Sequence, residues 1–180
     1  MSKKKLATVW LGGCSGCHMS LLDIDERILD VAKLADIVKS PIVDAKEFPQ
    51  ADVTLVEGSV TSDEHLHELY RIRQASKVLV ALGDCAVTAN ITGMRNYFPK
   101  EEVFNYAYIQ AVSNDKEGKV PDHPALLKLR KKAVPLQEIV HVDYFIPGCP
   151  PQADTIFYVI LELLNDRVPH LSQERKLKYG

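Results

Sequence analysis

Apolar runs of strand length alternate with helical patterns along most of the chain. Residues 6–12 are almost continuously apolar, the pattern of a strand covered on both faces. Residues 18–34 place Leu21, Leu22, Ile28, Val31 and Ala32 near helical spacing, with Asp23, Asp25 and Glu26 turned to water, and predict a helix. A second strand is expected at 37–43, demoted to a sheet edge by Pro41, and a third at 52–57, ending at Gly58. Thr61-Ser62-Asp63-Glu64 has the form of a capping box and opens a helix running to about Ala75.

Residues 77–83 form a fourth predicted strand, and 86–98 read as helix followed by loop. Residues 99–124 mix Pro99, Pro121, Pro124 and Gly118 with many charges and are expected to make a long surface excursion. A short helix is expected at 125–132 and a fifth strand at 139–146. Ala153, Ile156, Phe157, Ile160, Leu161 and Leu164 form the stripe of a last helix, and a charged tail at about 170–180 is read as a solvated end. No repeat or domain boundary interrupts this pattern, so residues 1–180 are expected to form one domain.

Strands that alternate with helices predict an α/β fold, a doubly wound, mainly parallel sheet. Right-handed crossovers align all the strand ends on one edge, where such sheets bind ligands. All four cysteines follow apolar runs ending in glycine: Cys14 and Cys17 after the first strand, Cys85 after the fourth, Cys149 after the fifth. Glu57 ends the third strand on the same edge. Cys14 and Cys17 are also expected at a helix start, where a positive dipole end stabilises thiolate over thiol.

Composition narrows the function. At 46% apolar and 26% charged residues, the chain reads as a globular protein. A net charge of -2 gives no electrostatic reason for nucleic-acid or anionic-membrane binding. No apolar stretch reaches the ~18 residues of a membrane span. The first residues lack a secretory signal and a twin-arginine pair, so a cytoplasmic location is expected. In that reducing compartment, four cysteines suit metal ligation or redox chemistry better than structural disulfides.

Four thiolates on one edge suit a tetrahedral metal or an iron–sulfur cluster. Structural zinc typically uses two paired knuckles, and only Cys14-Ser15-Gly16-Cys17 is a pair. Single cysteines from distant strand ends suit a larger object, a 4Fe-4S cube with one ligand per iron. A zinc-stabilised interaction domain remains an alternative. So does thiol redox chemistry at Cys14 and Cys17, which would leave Cys85 and Cys149 without a role.

Cys14-Ser-Gly-Cys17, Glu57-Gly58-Ser59-Val60, Gly83-Asp84-Cys85-Ala86 and Pro147-Gly148-Cys149-Pro150-Pro151, in that order, resemble the cluster-binding pattern of nickel–iron hydrogenase small subunits. The related quinone-reductase subunit of respiratory complex I has a similar fold, but typically carries adjacent cysteines at the first motif. The resemblance implies a flavodoxin-like fold and one proximal 4Fe-4S cluster held by Cys14, Cys17, Cys85 and Cys149. It also implies a role in relaying electrons from a nickel–iron site on a partner large subunit. With no twin-arginine leader and no further cluster ligands after Cys149, the chain is most similar to small subunits of cytoplasmic, NAD-reducing hydrogenases. Diaphorase subunits carrying flavin and further clusters are then the expected partners, and NAD binds there. Another cytoplasmic nickel–iron hydrogenase with a different acceptor is the alternative.

The chain has no spare thiols for a nickel–iron centre and no Gly-x-Gly-x-x-Gly phosphate turn, which agrees with hydrogen and NAD chemistry on other subunits. Nothing names an FMN site, and none is expected. No catalytic residue is expected on this chain; Glu57 is a candidate for a supporting role beside the cluster, or for a strand-end pairing. His18 is read as a helix-start residue, and Trp10 as strand packing.

Overall fold

The computed structural model describes residues 3–45, 47–114 and 117–171. The chain runs through β1 (Lys4–Trp10), α1 (Gly16–Leu22), α2 (Ile28–Leu34), β2 (Ala35–Lys39), β3 (Ala51–Glu57), β4 (Val60–Ser62) and α3 (Asp63–Ala75). It continues through β5 (Ser76–Leu82), α4 (Asp84–Thr88), α5 (Asn90–Gly93), α6 (Lys100–Phe104), β6 (Leu129–Val134), β7 (Tyr144–Ile146) and α7 (Ala153–Leu164). Five strands form one sheet in the order β2-β1-β3-β5-β7, and every neighbouring pair is parallel. That is the doubly wound, flavodoxin-like order, with the switch point between β1 and β3.

Period-two alternation sends successive strand residues to opposite faces. Leu55, Val80 and Leu82 join Val31, Ile156 and Ile160 in one apolar layer under α1, α2 and α7. Val56, Leu79 and Ala81 join Leu69 and Ile72 of α3 in the other. Burial on both faces explains why these strands read as unbroken apolar runs. At the carboxyl ends the register aligns Trp10, Glu57, Leu82 and Ile146 in one row across the sheet. Cys14, Cys85 and Cys149 follow their strands a few residues beyond that row.

Several expectations are corrected. The 18–34 helix is broken, because Asp25 at φ 52° opens a short 3-10 turn (Asp25–Arg27) between α1 and α2. Residues 125–132 do not form a helix; Leu129–Val134 is a strand, antiparallel to β4 in a separate ribbon. Its run of two lysines and an arginine between apolar ends fits an edge strand with one open face better than a helix. The strand expected at 139–146 shrinks to Tyr144–Ile146. The 99–124 excursion contains α6 and a π-helical turn, Asn105–Ile109. The cap of α3 is Ser62, whose Oγ accepts the His65 N–H, so Thr61 and Glu64 do not form the box. The strand expected around Pro41 does lie at the sheet edge, as β2, ending at Lys39. The tail beyond 171 lies outside the described residues.

Candidate metal centre at the carboxyl edge of the sheet

The four cysteines come to one edge, on loops that the sheet itself delivers. Cys17 is buried, Cys85 is half-buried, and Cys14 and Cys149 are exposed; all four are free thiols. They lie close enough that Cys14, Cys85 and Cys149 each act on the Cys17 thiol. Among the described residues, no group of three or more His, Cys, Asp or Glu closes on one point as a single ion requires.

Backbone N–H groups are directed at two of the sulfurs. The Gly16 N–H donates to Cys14 Sγ at 3.4 Å. The Ile91 and Thr92 N–H groups of α5 donate to Cys85. Such bonds favour the thiolate, the form that binds metal. Burial is the larger effect on Cys85 and pushes its thiol up, with these N–H groups opposing it. At Cys17 burial again comes first, then the Glu57 carboxylate, then the other thiols, and all push the thiol up. This overturns the expectation that a helix start makes Cys17 a ready thiolate. Of the first N–H groups of α1, that of Gly16 goes to Cys14 Sγ and those of Cys17 and His18 to Glu57, and a carboxylate beside a buried thiol opposes its ionisation.

Glu57 is 1% exposed at the end of β3. Its Oε1 accepts the Cys17 N–H at 3.4 Å, and its Oε2 accepts the His18 N–H at 2.9 Å. Oε2 also shares a 2.5 Å hydrogen bond with His18 Nδ1. Ser15, the residue preceding α1, makes no side-chain cap, so a carboxylate from another strand caps this helix. The sequence can name Glu57 as a strand-end carboxylate on the right edge. It cannot show that the partner is His18.

The ligand loops are tied in a circuit. Gly12 and Ser59 exchange backbone hydrogen bonds at 3.0 and 2.8 Å, joining the Cys14 loop to the Glu57 loop. Ser59 Oγ meets Thr92 Oγ1 at 2.5 Å, next to the N–H groups that bond Cys85. Asp84 N–H donates to Gly148 O at 2.9 Å, and Gly148 N–H returns to Asp84 Oδ1 at 2.6 Å, coupling the Cys85 and Cys149 loops. Ser20 Oγ donates to Pro151 O at 2.5 Å and closes the circuit onto α1. Ser20, Ser59, Asp84 and Thr92 carry no signal in the sequence beyond their nearness to cysteine or glycine motifs.

Gly83 shows how little room is left. At φ 81° it already favours glycine, and a Cβ there would lie 2.2 Å from Cys17 Sγ. Trp10, expected to pack in the core, is 46% exposed, with its indole beside Gly13 at the rim.

Residues 14–163 match the family described as NADH ubiquinone oxidoreductase, 20 Kd subunit. The chain belongs to that family. This member of the 20 Kd family is 40% identical over 166 residues to a subunit of the F420-non-reducing hydrogenase of Methanothermobacter marburgensis, covering 90% of the chain and 54% of that protein. It is 38% identical over 168 residues to the delta subunit of the NAD-reducing hydrogenase HoxS of Cupriavidus necator, covering 92% of the chain and 80% of that protein. The chain thus spans about half the length of the F420-non-reducing hydrogenase relatives and most of the HoxS subunit. In a crystal structure of NAD+-reducing NiFe-hydrogenase in the H2-reduced state, one chain superposes with a TM-score of 0.95 at 36% identity, covering 99% and 100% of the two chains. The fold is shared more distantly with the NiFeSe hydrogenase of Desulfovibrio vulgaris Hildenborough, at a TM-score of 0.60 and 17% identity, covering 98% of this chain and 63% of that one. Among the described residues, no helix is long and apolar enough to cross a membrane.

Proposed function

We propose that this chain is the electron-transfer small subunit of a nickel–iron hydrogenase, with Cys14, Cys17, Cys85 and Cys149 holding one 4Fe-4S cluster. When bound, such a cluster supplies one-electron transfer between a nickel–iron site on a large subunit and flavin-bearing diaphorase subunits. The overall reaction is H2 + NAD+ to H+ + NADH, with hydrogen and NAD handled on the partners. The observation that carries the reading is the delivery of four free thiols to one sheet edge, with N–H groups directed at the sulfurs of Cys14 and Cys85. The donor set fits the group: four sulfurs on three segments that follow β1, β5 and β7, with a backbone held close by Gly83.

The chain's own residues orient and shield. Glu57 fixes the Cys17 turn, the Asp84–Gly148 pair sets Cys85 against Cys149, and the Ile91 and Thr92 N–H groups steady the Cys85 sulfur. Exposed Cys14 and Cys149 leave the outer side of the centre for a partner to cover. That side is the expected large-subunit interface, because a relay must sit close to the active site.

Anaerobic purification with co-purifying chains, followed by iron, acid-labile sulfide, zinc and nickel analysis, tests the proposal. About four irons and four sulfides per small subunit, after subtracting partner clusters, with hydrogen-dependent NAD+ reduction, is the expected result. Zinc alone would overturn it. Cys85→Ser and Cys149→Ser should each impair cluster assembly. The resemblance to F420-non-reducing hydrogenase subunits favours a second reading, the same relay with a different acceptor. Hydrogen-dependent dye reduction without NAD+ reduction, and no flavin-bearing partner, would select it.

A further inference from the structure

His18 follows Cys17 directly and is buried at 8% exposure. Its ring nitrogen Nδ1 meets Glu57 Oε2 at 2.5 Å. The other nitrogen, Nε2, is sealed from solvent and has no hydrogen-bond partner among the described residues. Nδ1 is therefore the ring nitrogen that holds a polar partner among the described residues. Glu57 in turn accepts the Cys17 and His18 N–H groups and is itself almost completely buried. A carboxylate with two oxygens must hold one rotation to meet both N–H groups. Backbone bonds alone leave Oε2 with one donor, and the ring supplies the second.

We infer that His18 is a positioning residue. Through its Nδ1 bond it locks the Glu57 carboxylate in the orientation that fixes the Cys14–Cys17 turn for cluster binding. This rests on the cluster reading above. It assigns His18 neither a ligand role nor a proton-transfer role. Residues that orient ligands from behind typically cost 10- to 100-fold in metal affinity when lost.

Two substitutions separate the hydrogen bond from the volume of the ring. His18→Phe keeps a ring and removes the bond. His18→Asn keeps a donor close to the place of Nδ1 and removes most of the ring. The measurements are made on the anaerobically purified complex. They are iron and sulfide per small subunit, the rate at which a ferrous chelator bleaches the cluster, and the EPR spectrum of the reduced cluster. His18→Phe should bleach about 10-fold faster than wild type and alter the EPR line shape. His18→Asn should stay near wild type in both. Wild-type behaviour in His18→Phe overturns the inference, and so does an Asn variant as disturbed as the Phe variant, since the ring volume would then be what matters. Should His18→Phe not accumulate, His18→Leu replaces it, and a disturbed Asn variant remains decisive by itself. A wild-type chain without iron and sulfide defeats the cluster reading instead, and is distinguished at the first measurement.

Discussion

Two carboxylates accept backbone N–H groups at opposite ends of the strands in this sheet, and they have been put to different uses. Asp143, just before β7, accepts the Leu79 N–H at 2.8 Å and the Arg73 guanidinium at 2.7 Å, while its own N–H bonds Leu79 O. Arg73 also reaches the Ser76 and Lys77 carbonyls, so this corner ties the end of α3, β5 and β7 together. Burial alone would raise the Asp143 carboxyl, but the Leu79 N–H and Arg73 outweigh it and hold it below the usual range. Glu57, at the carboxyl edge, is more deeply buried, and among the described residues the side chain it hydrogen-bonds is an imidazole rather than a guanidinium or ammonium. Its neighbours are N–H groups, that imidazole and a thiol, and it pushes the thiol up. The difference teaches how a fold separates stability from chemistry. Asp143 is neutralised locally and only holds structure. Glu57 instead holds the turn that carries Cys17 and sits beside its thiol.

The largest effect should come where the carboxyl edge has no slack. Gly83→Ala puts a Cβ 2.2 Å from Cys17 Sγ at a positive φ. Loss of bound iron and sulfide is expected in the purified complex; retention of wild-type metal content would mean that the edge yields more than the packing suggests. Next comes Glu57→Ala, which strips two N–H groups and a ring nitrogen of their buried acceptor. A loss of about 3 kcal/mol is expected in denaturant unfolding of the metal-free chain. An unchanged midpoint would erase the contrast between the two carboxylates.

Asp143→Asn should cost about 2 kcal/mol at neutral pH and leave the metal content unchanged. The sign with pH follows from the depressed carboxyl. The stabilisation is fully present above the unfolded Asp value of about 4, and is lost as pH falls through the lower folded value. The Tm gap between wild type and Asp143→Asn should therefore close on acidification below about pH 4. A gap that widens there would reverse the assignment. The smallest effect is expected at the exposed pair of Asp30 and Lys33, where Asp30→Asn should leave Tm unmoved within error.

Much of the centre is legible in the linear order because parallel topology turns strand ends into neighbours. Four apolar runs that stop at cysteine or Glu57 need only the rule of right-handed crossovers to be placed on one edge. The same logic locates the last helix, where Ile156, Ile160 and Leu164 fall on one buried stripe. Residues 125–132 mislead because basic residues among apolar ones suit an exposed helix and an edge strand alike. Their pairing with β4 lies far away in sequence. Trp10 misleads because strand alternation cannot show that the final residue of β1 lies at an open rim.

By itself, then, the sequence determined the alternation of elements, the parallel sheet, and the edge on which the thiols and Glu57 gather, since each depends on local period and chain direction. Tertiary structure alone decided the strand order, the pairing of Glu57 with His18, the circuit through Ser59, Thr92, Asp84 and Ser20, and the upward shift of Cys17. Hydrogen bonds of a few ångströms and the burial of a charge depend on which distant loops meet, and no local pattern encodes that meeting.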